Sequence, residues 1–500
     1  MVTADRTLAT ALAPFANSPL TDFTRAENIQ AQEAALRQVE SELGATFPLI
    51  IAGEKREKSD TFASINPARP DQVVARFAKG AVQDVEDAVQ AAWKMFQSWR
   101  YTPAAERAGY LFKTAELLRQ RRFYFNALMI YEVGKSWPEA DGDTAEAIDF
   151  LEFYGREALR LAGEQPITKI AEEENELVYI PLGVGAVIPP WNFACAIMVG
   201  LTSSALVAGN TVILKPASTA ALVAARFVEL LDEAGVPKGV VSFLPGPGGA
   251  IGDALIEHPL TRFVSFTGSR EVGLRINELA AKPRPGQKWI KRTILEMGGK
   301  DSIVVDETAD LDAAASAIVA SAFGFQGQKC SACSRAIVTA PVYDEVLAKV
   351  VERAKSLTIG DTTDRSSYMG AVIDEGAYRK ILEYIGVGKQ EGRLVLGGEQ
   401  LPREGYFIPP TIFADVPADA RMSLEEIFGP VLAVIKARDF DDALAIANNT
   451  EYGLTGSFFS KDEERIARAE REFFVGNLYI NRKCTGALVG VHPFGGFNMS

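Results

Sequence analysis

Hydrophobic and polar positions follow a helical period in the first third of the chain. Apolar residues recur every three or four positions and predict helices over 82–99, 104–122 and 145–161. A more charged stretch over 26–43 has the same spacing and indicates an N-terminal arm. The run EEENELVYIPLG after Gly163 is highly charged, and we expect an exposed hairpin there.

From Gly185 onwards, short apolar runs alternate with helical stretches. The predicted strands GAVIPP, TVILKP, VVSFLPG and RFVSFTG alternate with helices over 194–208, 220–234, 250–257 and near 270–280. A second series starts at Asp301 and combines the strands SIVV, AIVTA, VLAVIK and NLYIN with helices near 311–323, 343–356 and 441–449. This alternation is typical of parallel, doubly wound sheets. We therefore expect an α/β fold with two closely packed domains.

Composition narrows the possible partners and chemistry. The 500 residues carry 52 Lys plus Arg against 65 Asp plus Glu, a net charge of −13, and such a surface repels nucleic acid. The longest apolar runs fall short of the roughly 18 residues that a membrane span needs, and the N-terminus lacks the pattern of an export signal. Four cysteines are too few for a disulfide framework, and two histidines cannot supply a histidine-rich metal site. We expect a cytoplasmic enzyme or binding protein without a metal, a nucleic acid or a membrane as partner.

Cys330 is the strongest candidate for a nucleophile. It lies in GFQGQKCSACSR, where Gly324 and Gly327 predict a loop between a helix and a strand. Two alternatives remain open: a buried structural cysteine, or a redox or zinc-binding pair with Cys333. The zinc interpretation lacks a second pair of ligands in the sequence.

Two other polar residues follow predicted strands. Glu296 in TILEMGGK can act as a general base if a cleft raises its pKa, although most glutamates are solvated surface charges. Asn192 in VIPPWNF can donate to a developing oxyanion or cap the following helix.

Glycine-rich turns raise the possibility of a dinucleotide site. GPGGAIG does not match G-x-G-x-x-G, because Ile251 occupies the third glycine position. FTGSREVG joins a strand to a helix and is either a phosphate loop or an ordinary turn. Lys215 in TVILKP is either a ribose or phosphate donor or a solvated strand end.

Seven motifs together are more specific than any of them alone. PWNF, ILKP, FTGS, LEMGGK, GQKC, EEIFGPV and PFGGF occur in the order and at the spacing that resemble the aldehyde dehydrogenase superfamily, over about residues 40–500. The longer strings EVGKSWPEADGD, FVSFTGSREVG, GFQGQKCSACSR and NRKCTGALVGVHPFGGF are most similar to the branch that oxidises L-glutamate γ-semialdehyde.

The resemblance implies an aldehyde dehydrogenase-like fold and indicates where its domains begin and end along the chain. It implies an arm over 1–43, a Rossmann-type NAD-binding domain over 44–162 and 181–295, a catalytic domain over 296–482, and oligomerisation or bridging segments over 163–180 and 483–500. The 163–180 segment is the expected oligomerisation hairpin, and a homo-oligomer built on dimers is implied.

The resemblance also implies roles for individual residues. Cys330 is the nucleophile, Glu296 the general base, and Asn192 an oxyanion donor together with the backbone N–H of Cys330. The residues implied to bind the cofactor are Pro190, Trp191, Lys215, Ser218, Gly246, Thr267, Gly268, Ser269, Glu426 and Phe428. Ser331, Gly486 and Ala487 are implied to bind the substrate carboxylate.

The implied activity is NAD-dependent oxidation of L-glutamate γ-semialdehyde to L-glutamate, through a cysteine hemithioacetal and a thioester. This aldehyde is in equilibrium with Δ1-pyrroline-5-carboxylate, and the reaction is the second step of proline breakdown. Ser218 stands where NAD-preferring relatives often have Glu, so we expect NADP to be accepted as well. Two further departures are Asn498, where Lys or Arg is usual, and the end of the sequence at Ser500. The alternatives are a dehydrogenase of another aldehyde and a catalytically silent binding protein on the same fold.

Overall fold

The structure is a computed structural model that describes residues 12–500, apart from the side chain of Ala250. Its helices are α1 (Ala26–Glu42), α2 (Val82–Trp99), α3 (Ala104–Gln120), α4 (Arg122–Val133), α5 (Trp137–Ala162), α6 (Ala196–Val207), α7 (Ala221–Ala234), α8 (Gly248–Glu257), α9 (Arg270–Ala281), α10 (Leu311–Phe323), α11 (Tyr343–Lys355), α12 (Glu375–Glu391), α13 (Arg421–Leu424), α14 (Phe440–Asn448) and α15 (Glu463–Glu472). Its strands are β1 (Ala45–Phe47), β2 (Leu49–Ile51), β3 (Glu54–Arg56), β4 (Thr61–Asn66), β5 (Arg69–Ala78), β6 (Val184–Ile188), β7 (Thr211–Leu214), β8 (Val241–Phe243), β9 (Thr261–Thr267), β10 (Arg292–Glu296), β11 (Ser302–Val305), β12 (Arg335–Thr339), β13 (Arg393–Leu396), β14 (Thr411–Ala414), β15 (Val431–Ala437), β16 (Thr455–Phe459) and β17 (Asn477–Ile480).

The described chain divides into two compact units. Unit 1 comprises residues 12–65, 73–132 and 140–295, and unit 2 comprises 66–72, 133–139 and 296–500. The segments 66–72 and 133–139 group with unit 2, although they lie inside the sequence range that we assigned to the NAD-binding domain. The functional division into an NAD-binding and a catalytic domain stays a prediction.

Unit 1 is built around a seven-stranded sheet with the order β10-β9-β6-β7-β8-β2-β3. Its four central strands, β9, β6, β7 and β8, run parallel, whereas β2 and β3 are antiparallel additions at one side. The residues of β7, β8 and β9 are all buried, as expected for a sheet covered by helices on both faces. Because these strands are parallel neighbours, their carboxyl ends meet at one edge of the sheet, where α/β proteins bind ligands.

Unit 2 contains a second seven-stranded sheet, with the order β13-β14-β15-β12-β11-β16-β17. All its strands are parallel except β13, which pairs antiparallel with β14 at the edge. Side chains alternate between its two faces: Ile303 and Val305 pack with α10 and α11, whereas Val304 packs with α12 and α14. The sheet is therefore buried on both faces.

The structure confirms the predicted α/β fold and most of the predicted elements. It starts α5 at Trp137 rather than at residue 145, and the elements that it adds are β1–β3, β5, β13, β14, β16, α4, α12, α13 and α15. The hairpin expected over 163–180 is not found, because the described residues 163–183 contain no strand and the segment is largely exposed. Within residues 12–500, the helices lack an apolar stretch long enough to cross a bilayer.

Candidate active site

The loop that carries Cys330 has an unusual backbone that is fixed by buried contacts. Phe325 and Gln326 adopt positive φ angles of 48° and 57°, which are rare for residues other than glycine. The buried Gln326 side chain donates through Nε2 to the carbonyl oxygens of Gly134 at 3.1 Å and Ala371 at 2.8 Å. At Gly327 a Cβ atom would lie 2.4 Å from the Gly429 oxygen, so only glycine fits. Such strain is held only where surrounding contacts demand it, which is typical of functional loops.

Cys330 is partly exposed as a residue, and its thiol lies in an acidic environment. Burial raises its pKa, and the carboxylates of Asp301, Glu426 and Glu296 raise it further, whereas the backbone N–H of Ser331 lowers it. The thiol is therefore protonated at rest near neutral pH, and a nearby base has to accept its proton before it can attack.

The other cysteines of unit 2 have structural environments. Cys333 is buried and its Sγ lies 3.3 Å from the Arg335 carbonyl oxygen, and Cys484 is buried with its Sγ 3.4 Å from the Ser331 carbonyl oxygen. All four cysteines are free thiols. The structure thus gives Cys330 an access to solvent that Cys333 lacks, which favours a single nucleophile over a dithiol.

Glu296 is the last residue of β10 and is only partly exposed. Its Oε2 atom is buried and has no hydrogen-bond partner among residues 12–500. Burial raises the pKa of this carboxyl group to about 7. A carboxylate with this pKa is ionised often enough to accept a proton at neutral pH and is basic enough to hold it.

Two glycines allow the chain after Glu296 to lie close to its neighbours. The Gly299 N–H donates to Oε1 of Glu426 at 3.0 Å, and a Cβ atom on Gly298 would lie 2.6 Å from the Glu426 carboxylate. A Cβ atom on Gly299 would lie 2.3 Å from the Cys330 carbonyl oxygen. Unit 2 therefore brings Glu296, Glu426 and Cys330 into one region. These residues belong to the motifs LEMGGK, EEIFGPV and GQKC, which the resemblance assigns to one site.

The predicted carboxylate-binding residues also lie together in unit 2. Ser331 is buried, and its carbonyl oxygen contacts the Cys484 thiol at the start of the 484–487 loop. Gly486 has a φ of 77°, a conformation that favours glycine, and it is exposed. The loop with Gly486 and Ala487 is thus linked directly to the segment that carries the nucleophile.

In unit 1, the predicted cofactor residues occupy the carboxyl ends of parallel strands. Pro190, Trp191 and Asn192 follow β6, Lys215 follows β7, and Gly246 follows β8. Lys215 is buried and its Nζ donates to the Pro216 carbonyl oxygen at 3.3 Å; burial lowers its pKa to about 8. Ser218 begins a short helical turn just beyond it.

The fourth strand end joins directly to a helix N-terminus. Thr267 ends β9, and Gly268 approaches the Phe266 ring so closely that a Cβ atom would lie 2.5 Å from it. The Ser269 Oγ accepts the N–H of Val272 at 3.4 Å and caps α9. This turn presents backbone N–H groups and the positive end of a helix dipole, which suit a phosphate.

Sequence reasoning placed these groups but missed residues that support them. Gln326 and Gly299 were not predicted as site residues, although the double glycine of LEMGGK was a visible signal for close backbone approach. Phe428, predicted to bind cofactor, has a φ of 62° in the segment after Glu426. The individual roles of the site residues stay predictions.

The chain is similar to known proteins in sequence and in fold. The aldehyde dehydrogenase family pattern matches residues 54–500. A 1-pyrroline-5-carboxylate dehydrogenase from Geobacillus kaustophilus is 57% identical over 97% of this chain and 95% of its own length. A crystal structure of 1-pyrroline-5-carboxylate dehydrogenase from Thermus with bound NAD is 50% identical, with a TM-score of 0.96 over 98% of this chain and 95% of that one. Betaine aldehyde dehydrogenase from Staphylococcus aureus, in complex with NAD+, is 28% identical, with a TM-score of 0.87 over 94% of this chain and 93% of that one. The chain therefore belongs to the aldehyde dehydrogenase family.

Proposed function

We propose that this chain is an NAD-dependent dehydrogenase that oxidises L-glutamate γ-semialdehyde to L-glutamate, the second step of proline catabolism. The observation that carries the proposal is the link between Ser331, next to the nucleophile, and the 484–487 loop. We infer that the Ser331 hydroxyl and the backbone N–H groups of Gly486 and Ala487 bind the carboxylate of the substrate. Relatives that are similar to this chain over nearly its full length carry the name 1-pyrroline-5-carboxylate dehydrogenase.

The reaction begins at Cys330. The Cys330 thiol gives its proton to a water molecule, and the thiolate then adds to the aldehyde carbon and forms a hemithioacetal, whose oxyanion we assign to Asn192 and the Cys330 backbone N–H. The acidic surroundings that raise the pKa of the thiol also make the thiolate a strong nucleophile once it forms.

Glu296 completes the reaction by activating water. Removal of hydride from the hemithioacetal leaves an acyl thioester on Cys330. The Glu296 carboxylate takes a proton from water, the resulting hydroxide adds to the thioester carbon, and the carbon–sulfur bond breaks to release the carboxylic acid and the cysteine. No histidine is among the proposed site residues, so a carboxylate has to supply this base.

The strand ends of unit 1 fit a dinucleotide. Bound NAD supplies the acceptor for the aldehyde hydride. We assign the adenosine ribose to Lys215 and Ser218, and the pyrophosphate to the Thr267–Ser269 turn. A Cβ atom at Gly268 would collide with Phe266, so this turn requires glycine, and the turn is open to solvent at Ser269. We assign the nicotinamide ribose to Glu426.

The substrate assignment is tested by changing the hydroxyl next to the nucleophile. We expect Ser331→Ala to raise KM for L-glutamate γ-semialdehyde about tenfold, because one charge-assisted hydrogen bond is lost. KM for pentanal, which has no carboxylate, changes less than twofold. Equal changes for both aldehydes would contradict carboxylate binding at Ser331.

We further propose that the enzyme works in the cytoplasm as a homo-oligomer built on dimers. The exposed apolar side chains of residues 177–180 and of the C-terminal segment support association between copies. Analytical ultracentrifugation tests this point, and a monomer at micromolar concentration would contradict it.

A further inference from the structure

Arg482 is the second residue after β17, and its backbone is held by hydrogen bonds around it. The preceding residue, Asn481, has a φ of 52°, and its side chain bridges the backbone of Ser460, accepting its N–H at 3.0 Å and donating to its carbonyl oxygen at 2.9 Å. The Ser457 hydroxyl donates to the carbonyl oxygen of Arg482. The Cα position of Arg482 is therefore fixed relative to the sheet of unit 2.

The guanidinium group reaches from this position to the 484–487 loop. Its central carbon lies 4.4 Å from the centre of the Tyr479 ring, a cation–π contact that fixes its plane. Its Nη2 atom donates to the carbonyl oxygen of Gly486 at 2.6 Å and to that of Thr485 at 3.3 Å. The other terminal nitrogen, Nη1, is shielded from solvent and has no hydrogen-bond partner among residues 12–500, so the hydrogen bonds of the group to the protein are those of Nη2 to the two backbone carbonyls.

Peptide geometry gives these two hydrogen bonds a specific consequence. In a trans peptide, C=O and N–H point in opposite directions. The peptides whose carbonyls Arg482 binds are those that carry the N–H groups of Gly486 and Ala487. When Arg482 holds both carbonyls, both N–H groups are directed away from it and toward the opposite side of the loop.

We propose that Arg482 is a positioning residue that orients the Gly486 and Ala487 N–H groups for the carboxylate of the substrate. Without the guanidinium, the exposed loop with Gly486 in a left-handed conformation has many alternative peptide orientations. Arg482 removes that freedom before the substrate arrives. Substrate binding therefore does not have to offset the entropic cost of ordering the loop. This inference rests on the proposed function, because it assigns a role within the same carboxylate site.

A second mechanism, simple attraction by positive charge, makes a different prediction. Lys483 is also cationic, and its Nζ lies 3.5 Å from the position that a Cβ atom on Gly486 would take. If charge alone determined carboxylate binding, then removing either cation would weaken it equally, and added salt would weaken it in the parent enzyme. If peptide orientation matters, then only the loss of Arg482 has a large effect.

The experiment compares Arg482→Met, Arg482→Lys and Lys483→Met, with Arg471→Lys on the exposed end of α15 as a matched control. Steady-state kinetics are measured with L-glutamate γ-semialdehyde and with pentanal, and L-glutamate binding is measured by calorimetry. For Arg482→Met we expect at least a tenfold increase in KM for the carboxylated aldehyde and in Kd for L-glutamate. Its kcat and KM for pentanal stay within twofold, which also shows that the protein is folded.

The remaining variants separate the explanations. We expect Arg482→Lys to recover part of the loss, since an ammonium group can donate to one or both carbonyls but lacks the planar stacking on Tyr479. Lys483→Met and Arg471→Lys change either constant less than threefold. Equal losses in Arg482→Met and Lys483→Met, or a parallel loss with pentanal, would overturn the positioning role. If the parent enzyme itself shows no preference for the carboxylated aldehyde, then the proposed function fails; if it shows the preference and Arg482→Met keeps it, then only this inference fails.

Discussion

The raised pKa of Glu296 predicts a steep pH dependence for thioester hydrolysis. With a pKa of about 7, about one-tenth of the carboxyl groups are ionised at pH 6 and about nine-tenths at pH 8. Because only the carboxylate accepts a proton from water, the hydrolysis rate rises roughly tenfold over these two units. In Glu296→Gln we expect a burst of NADH followed by a slow steady rate that varies little with pH.

Stopped-flow absorbance separates the two steps, since the burst reports acylation and the later linear phase reports hydrolysis. A linear phase that is equally fast at pH 6 and pH 8 would refute a role for Glu296 as the base with this pKa. Loss of the burst in Glu296→Gln would instead assign the glutamate an earlier role, in activating the thiol.

The same shift has a consequence for stability. Folding raises the pKa of this carboxyl group from 4.5 to about 7, so the folded state binds more protons between these values and loses stability as pH rises through them. At a pH above both pKa values, a shift of that size lowers the free energy of unfolding by about 3 kcal/mol for a fully buried group. Because Glu296 is partly exposed to solvent, we expect a loss of about 1–3 kcal/mol. Glu296→Gln should therefore stabilise the protein at pH 8 but not at pH 4.5, which thermal melts of both proteins at both pH values measure. Destabilisation at pH 8 would contradict the buried, unpaired carboxylate.

Three further substitutions, two of them with a control variant, test other parts of the site. Cys330→Ala should abolish dehydrogenase activity while NAD binding, measured by calorimetry, stays within threefold; Cys333→Ala should keep most activity, and equal damage would support a dithiol. Gly299→Ala forces a Cβ atom to within 2.3 Å of the Cys330 carbonyl oxygen and should lower kcat at least tenfold; Gly386→Ala, which has open space around it, serves as the control. Ser218→Glu should lower kcat/KM for NADP at least tenfold through repulsion of the 2′-phosphate and leave that for NAD nearly unchanged; an unaltered NAD/NADP ratio would show that the phosphate is recognised elsewhere.

The sequence predicts those parts of the fold where local pattern and tertiary burial agree. Strands such as β7 and β11 are continuous apolar runs between turn residues, so their period and length identify them. The helix α12 was missed because its exposed face is polar and its buried positions are few. The segment 163–180 was predicted to form a hairpin, but it contains no strand.

Some residues of the candidate site could be predicted from the sequence, and others could not. Cys330 and Glu296 stand out by residue type and motif, so they were predictable. The hydrogen bonds of Gln326 and Arg482 to distant carbonyl oxygens depend on the tertiary path of the chain. Periodicity and spacing carry no information about such contacts, because any exposed or buried glutamine or arginine fits the same local pattern.

The most direct test of the account compares two aldehydes of similar length with the unmodified enzyme. NADH formation is followed at saturating NAD with L-glutamate γ-semialdehyde and with pentanal, and kcat/KM is determined for each. The carboxylate site built from Ser331 and the 484–487 loop predicts at least a hundredfold preference for the semialdehyde, from two or more charge-assisted hydrogen bonds. Equal values for the two aldehydes would contradict the substrate assignment and leave a general aldehyde dehydrogenase.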